Sequence, residues 1–162
     1  MLDNEEVLIF QAKNGDKDSF RQLYEHYIGP IFRFIFLKVS DRNAAEDITH
    51  EVFLSSWRNL HSYQSRGLPF SSWLYRIARN KVIDHYRTKK NNIRIDDLNE
   101  YSLGVIDKLD DDVDRSLSIE RVKKCFDKLS PDQKDVTIMR FIEELSHREI
   151  ARALGKAKGR YA

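Results

Sequence analysis

The chain's most chemically equipped stretch is FSSWLYRIARNKVIDHYRTKK, Phe70 to Lys90. At 100° per residue, Leu74, Ile77, Ala78 and Val82 fall on one side of a helix. Arg76, Arg79, Asn80, Arg87 and Lys90 fall opposite, and Trp73, Tyr75 and Tyr86 flank the apolar stripe. Guanidinium forks match phosphate oxygens, and aromatic rings stack on unpaired bases. Such a face suits a nucleic-acid backbone carrying exposed bases. It equally suits a solvated basic helix whose aromatics lie in the core. Ser71 or Ser72 is the expected cap at its start.

Two neighbouring stretches extend the surface. His61 to Pro69, HSYQSRGLP, is polar and holds Gly67 and Pro69, so it reads as a loop between rigid helices. Tyr63, Gln64 and Arg66 offer stacking and hydrogen bonding there; a plain connector is the alternative. Upstream, residues 42–60 read as a helix with Asp41 as cap. Ala45, Ile48, Val52, Phe53, Trp57 and Leu60 share its apolar side. Asp47, Glu51, Leu54 and Arg58 form one exposed stripe opposite. A leucine framed by acids hints at a protein partner, although single apolar residues are common on any surface.

The elements that position these residues are helical throughout. Only 3 Pro and 6 Gly punctuate 162 residues, and no segment alternates at period two. Residues 4–14 read as a short helix closed by Asn14-Gly15. Residues 18–39 read as a second, kinked or divided at Gly29-Pro30. Residues 91–115 read as a linker with a run of three Asp. Beyond it, residues 116–128 and 131–143 read as helices, with Ser130 capping and Pro131 in the first turn. In SHREIARALG, Ser146 and Glu149 form a capping box, Ile150, Ala151 and Leu154 face inward, and Gly155 ends the helix. The fold class is all-α, with small domains at 1–90 and 116–162.

Net charge is only +2, but it is unevenly spread. Residues 1–95 hold 15 Lys/Arg and 11 Asp/Glu, residues 96–118 hold 2 and 8, and residues 119–162 hold 11 and 7. An acidic segment thus separates two mildly basic blocks. Cys125 is the only cysteine, which excludes an intramolecular disulfide and a cysteine zinc cage; it reads as a packing thiol. No signal peptide or membrane-length apolar run is seen, so a cytoplasmic location is the default. The five histidines are scattered, and neither a Gly-rich phosphate loop nor a nucleophile–base arrangement stands out. No enzyme, cofactor or metal is expected.

Three stretches in order, AAEDITHEVFLSSWRNL, FSSWLYRIARNKVIDHYR and LSPDQKDVTIMRFIEELSHREIARALGK, resemble bacterial sigma factors of the sigma-70 class, in the extracytoplasmic-function (ECF) group. The resemblance runs from about Glu5 to Gly159. It implies a promoter-specificity subunit for core RNA polymerase, with an anti-sigma factor as a further partner. In the family pattern, Asp47, Glu51, Phe53 and Trp57 belong to the motif that grips the polymerase clamp helices, and Leu54 lies among them. Tyr63, Gln64, Arg66, Trp73, Tyr75, Arg76, Arg79, Asn80 and Arg87 fall in the region that melts and reads the −10 promoter element. The second domain matches the module that reads the −35 element.

The chain departs from the pattern twice. His50 stands where Gln is usual; both donate and accept hydrogen bonds, so polymerase binding is expected to survive. After Gly155 the family continues into a turn and a long recognition helix, whereas KAKGRYA leaves at most a single helical turn. Base reading in a major groove needs more than that. Impaired −35 recognition is therefore expected, with Arg148, Lys156, Lys158 and Arg160 left as phosphate contacts. Ile150 and Leu154 are expected to be uncovered, leaving the second domain loose or paired with another chain. Two other functions stay open: a sigma-like interaction protein that binds polymerase or an anti-sigma factor without initiating, and a non-specific single-strand nucleic-acid binder.

Overall fold

The computed structural model describes residues 4–92 and 124–155, and all regular structure among them is helical. In chain order the elements are α1 (Glu5–Lys13), α2 (Lys17–Val39), α3 (Arg42–Asn59), a 3-10 turn (Leu60–Ser62), α4 (Phe70–Asn92), α5 (Pro131–Phe141) and α6 (His147–Ala153). Residues 124–127 are also helical. Most of the linker and of the expected 116–128 helix lies outside the described residues.

Local chemistry accounts for most boundaries. Asp16 accepts from the Asp18 amide at 3.1 Å to start α2, and Asp41 accepts from Asn43 and Ala44 at 2.9 and 3.3 Å to start α3. Gly15, at φ 93, turns the chain between α1 and α2. Capping boxes Ser130–Gln133 and Ser146–Glu149 open α5 and α6. The cap of α4 is different from expectation. The helix begins at Phe70, ahead of both serines, and the Phe70 amide donates to Glu5 of α1 at 3.0 Å. Ser71 and Ser72 are buried in its first turn instead. Glu5 also accepts from the Tyr27 hydroxyl, so one buried carboxylate ties α1, α2 and α4 together.

α2 runs through Gly29-Pro30 without dividing. A proline removes one intrahelical hydrogen bond. The buried row Leu23, Tyr27, Ile31, Phe34 and Ile35 continues across the break and holds the helix in register. α1, α3 and α4 all pack on this helix. Leu8 and Ile9 of α1, Ile48, Val52 and Phe53 of α3, and Phe70, Leu74, Ala78 and Val82 of α4 complete the first unit's core.

α5 and α6 form the second unit, and it lies against the first. α6 packs on α4, and Ile150 and Leu154 are only 4% and 7% exposed. The expectation that they stand uncovered is corrected: both are buried in the second unit, whose α6 packs on α4 and on α5. Burying two such side chains favours docking by about 1.5–3 kcal/mol each, before ordering costs. Cys125 is also corrected, from packing thiol to exposed residue.

Candidate nucleic-acid interface

α4 presents the basic face, but the second unit occupies much of it. Arg79 bonds through Nε to Asp135 at 2.8 Å and through Nη2 to Asp132 at 2.7 Å. Lys38 of α2 reaches the same Asp135, whose side chain is almost wholly buried. Burial pushes the Lys38 ammonium down to about 8, and the neighbouring Arg79 charge acts in the same direction. Glu143, just past α5, receives a two-pronged Arg33 guanidinium at 2.7 and 2.8 Å. The Tyr75 hydroxyl donates to Glu143 at 3.0 Å. Tyr75 is 2% exposed, with its ring edge-on to Phe34 at 5.4 Å. Burial, followed by the Glu143 charge, raises its pKa above the usual phenol value.

The sequence-predicted −10 set therefore splits. Arg66, Gln64, Arg76, Asn80 and Arg87 are exposed, with Arg87 beside Asp84 at 3.7 Å. Trp73 is half-buried. Tyr63 and Tyr75 are not displayed for stacking, because they are core residues. Tyr63 packs on Phe70 and Trp73 with centroids 5.2 and 5.0 Å away. Burial pushes its hydroxyl up to about 12. It anchors the base of the 63–68 loop, where Arg66 and Gly67 take left-handed backbone at φ 47 and 72. Arg152 of α6 clamps that loop from the other side, donating to the carbonyls of Gln64 and Ser65. Of the expected −35 contacts, Arg148 is exposed on α6; Lys156, Lys158 and Arg160 lie outside the described residues.

The candidate polymerase surface on α3 keeps its stripe open. Asp47, Glu51, Leu54 and Arg58 are all exposed, Leu54 at 53%. Glu51 pairs with Lys81 of α4 at 3.2 Å, tying the stripe to the basic helix. Phe53 is buried edge-on against Tyr24, and Trp57 is half-buried on Phe20 with centroids 4.8 Å apart. Both support the stripe from beneath. His50 is exposed, with Nδ1 3.2 Å from the Glu46 carbonyl.

Sequence reasoning missed Arg33, Lys38, Asp132, Asp135, Glu143 and Arg152, which build the interface. A signal existed for two of them. Lys38 follows Ile31, Phe34 and Ile35 at helical spacing, and Asp135 precedes Ile138 and Met139 in the same way. Each is a charge set on an apolar stripe, and a buried charge requires a partner.

Comparison with known proteins covers both units. The sigma-70 region 2 model matches residues 23–92, and the sigma-70 region 4 model matches residues 119–160. The ECF RNA polymerase sigma factor SigW of Bacillus subtilis is 33% identical over 155 residues, covering 90% of this chain and 82% of SigW. The ECF sigma factor BldN of Streptomyces coelicolor is 31% identical over 157 residues, covering 94% of this chain; the chain spans 58% of BldN. The solved structure of CnrH in complex with the cytosolic domain of CnrY is similar in fold, with a TM-score of 0.62 and 24% identity across 96% of this chain and 85% of CnrH.

Proposed function

Because this chain belongs to the sigma-70 class of RNA polymerase sigma factors, in the ECF group, we propose that it binds core RNA polymerase through α3 and opens promoters at the −10 element through α4 and the 63–68 loop. The observation that carries this is the open stripe Asp47–Glu51–Leu54, joined to the basic helix by the Glu51–Lys81 pair. One surface holds the enzyme while its neighbour meets DNA. The second unit, with Arg148 on α6, is assigned to the −35 side, and an anti-sigma factor is a further partner under the same proposal.

Melting without ATP is energetically reasonable. Unstacking costs about 1–2 kcal/mol per base-pair step, and capture of a base on an aromatic ring returns about 1–3 kcal/mol. Trp73 is the half-exposed ring available for that role, with Arg76, Asn80 and Arg87 along the backbone.

The test is gel filtration of the chain with core polymerase at moderate salt, followed by promoter opening. Stoichiometric co-elution, and weakened opening for Arg76→Ala, Asn80→Ala and Arg87→Ala, are expected. A folded chain that fails to co-elute would remove the proposal. Co-elution without opening would instead favour the sigma-like interaction protein. The engagement of Arg79 and Tyr75 by the second unit's carboxylates supports that second reading for the chain on its own.

A further inference from the structure

The interface between the units is charge-matched along one edge and unmatched along the other. On the matched edge, Arg33, Lys38 and Arg79 meet Asp132, Asp135 and Glu143. The other edge is an open cleft of about 700 Å³ between the 63–68 loop and α6. Arg66 and Arg76 enter it from the first unit, and Arg148 and Arg152 enter it from the second. No Asp or Glu lines it among the described residues. Arg152 is spent on two backbone carbonyls. Arg66, Arg76 and Arg148 are exposed, and none has an ion pair among the described residues. Trp73 contributes an aromatic wall beside Tyr63.

Docking thus gathers like charges from both units around one space. Each guanidinium stays protonated at any physiological pH, so an anion bound among them relieves their repulsion. Clefts of one charge sign concentrate such anions. A planar fork favours phosphate oxygens, and the aromatic wall suits a base. The volume falls within the range of small-molecule sites. We propose that the closed chain binds a nucleoside polyphosphate here, with its phosphates on Arg66, Arg76 and Arg148 and its base against Trp73. The ligand bridges the two units and therefore holds them together, since a molecule that binds only the closed form stabilises it by mass action. The site shares Arg66, Arg76 and Trp73 with the −10 assignment, but two of its four arginines come from the second unit, so it exists only in the closed chain and needs neither polymerase nor promoter.

The test is calorimetric titration of the whole chain with ATP, GTP and inorganic tripolyphosphate, with a single-stranded decamer in parallel, and a thermal melt at each ligand concentration. Saturable binding of a triphosphate, a rise in Tm and weaker binding of tripolyphosphate are expected. Loss of one charge-assisted contact should weaken the triphosphate by about tenfold or more in Arg148→Ala and in Arg66→Ala. Both side chains are exposed, so the variants should fold. The proposal is overturned if no triphosphate saturates at millimolar concentration. It is equally overturned if both variants bind normally, or if the decamer binds and the triphosphates do not.

Discussion

α3 and α4 carry the two candidate binding surfaces of the first unit, and the structure treats them oppositely. The α3 stripe faces solvent, with Leu54 open and no hydrogen bond or ion pair from the second unit to Asp47 or Glu51 among the described residues. On α4, Arg79 and Tyr75 are held by three carboxylates from the second unit, and the adjoining loop is clamped by Arg152. Under the proposed function, Asp132, Asp135 and Glu143 compete with strand phosphates for Arg79 and its neighbours. The difference teaches an order of events. A protein partner can reach α3 in the closed chain, whereas a nucleic-acid strand reaches all of α4 only after the second unit moves.

The sharpest way to break that contrast is Asp135→Asn. The substitution keeps the shape but leaves Lys38 and Arg79 in a desolvated interface with only Asp132 opposite them. Removing one partner from a buried ion pair typically costs about 3–5 kcal/mol, which exceeds what burying Ile150 alone contributes. The expected outcome is a separated pair of units, measured as a larger radius of gyration in solution scattering, with tighter binding of single-stranded DNA. The α3 surface should be unaffected, so co-elution with core polymerase should persist. Unchanged dimensions would mean that apolar packing between α4 and α6 suffices for docking.

The converse variant is Leu54→Asp. Leu54 is half-exposed and makes no core contact that the fold depends on, so Tm should move little. Placing a charge at the centre of a protein contact costs about 2 kcal/mol or more when the position is a hot spot. Polymerase co-elution should therefore fall by more than tenfold while scattering dimensions stay the same. If the Leu54 variant binds polymerase normally, the stripe is ordinary surface and α3 loses its assigned role.

How much of this was legible in the sequence depends on the range of the interaction. Caps at Asp41, Ser130 and Ser146 are local, made within three residues, and they stood in the sequence as they stand in the fold. The exposed α3 stripe followed from periodicity alone. The start of α4 did not, because its cap is Glu5, sixty-five residues away. Periodicity left Tyr75 open between surface and core because its position flanks the apolar stripe, and its packing on Phe34 of α2 and its bond to Glu143 decide which way it counts. The docked second unit was the largest omission. Burial of Ile150 and Leu154 depends on a neighbour that no local pattern names, although Lys38 and Asp135 on their apolar stripes were two halves of that information.

Lys38 also gives the contrast a pH dependence, smaller than either substitution. Its ammonium titrates at about 8 in the closed chain, against 10.5 when free of the interface. Between those values the open form holds the extra proton, so raising the pH through that window favours closure. Below about 8 both forms are charged and the term is flat. Burial is the leading cause, Arg79 and Lys134 push the same way, and Asp132 opposes them. Tyr75 has the opposite sign: its pKa is raised in the closed form, so above the free value of 10.0 further alkali favours opening. Docking should accordingly tighten between pH 7 and pH 9, read as a fall in interunit distance by energy transfer between dyes on the two units. Lys38→Arg should abolish the trend, because a guanidinium keeps its proton across this range. Looser docking of the unsubstituted chain at pH 9 would mean that the Asp135 charge outweighs burial and that Lys38 remains an ammonium in the closed interface.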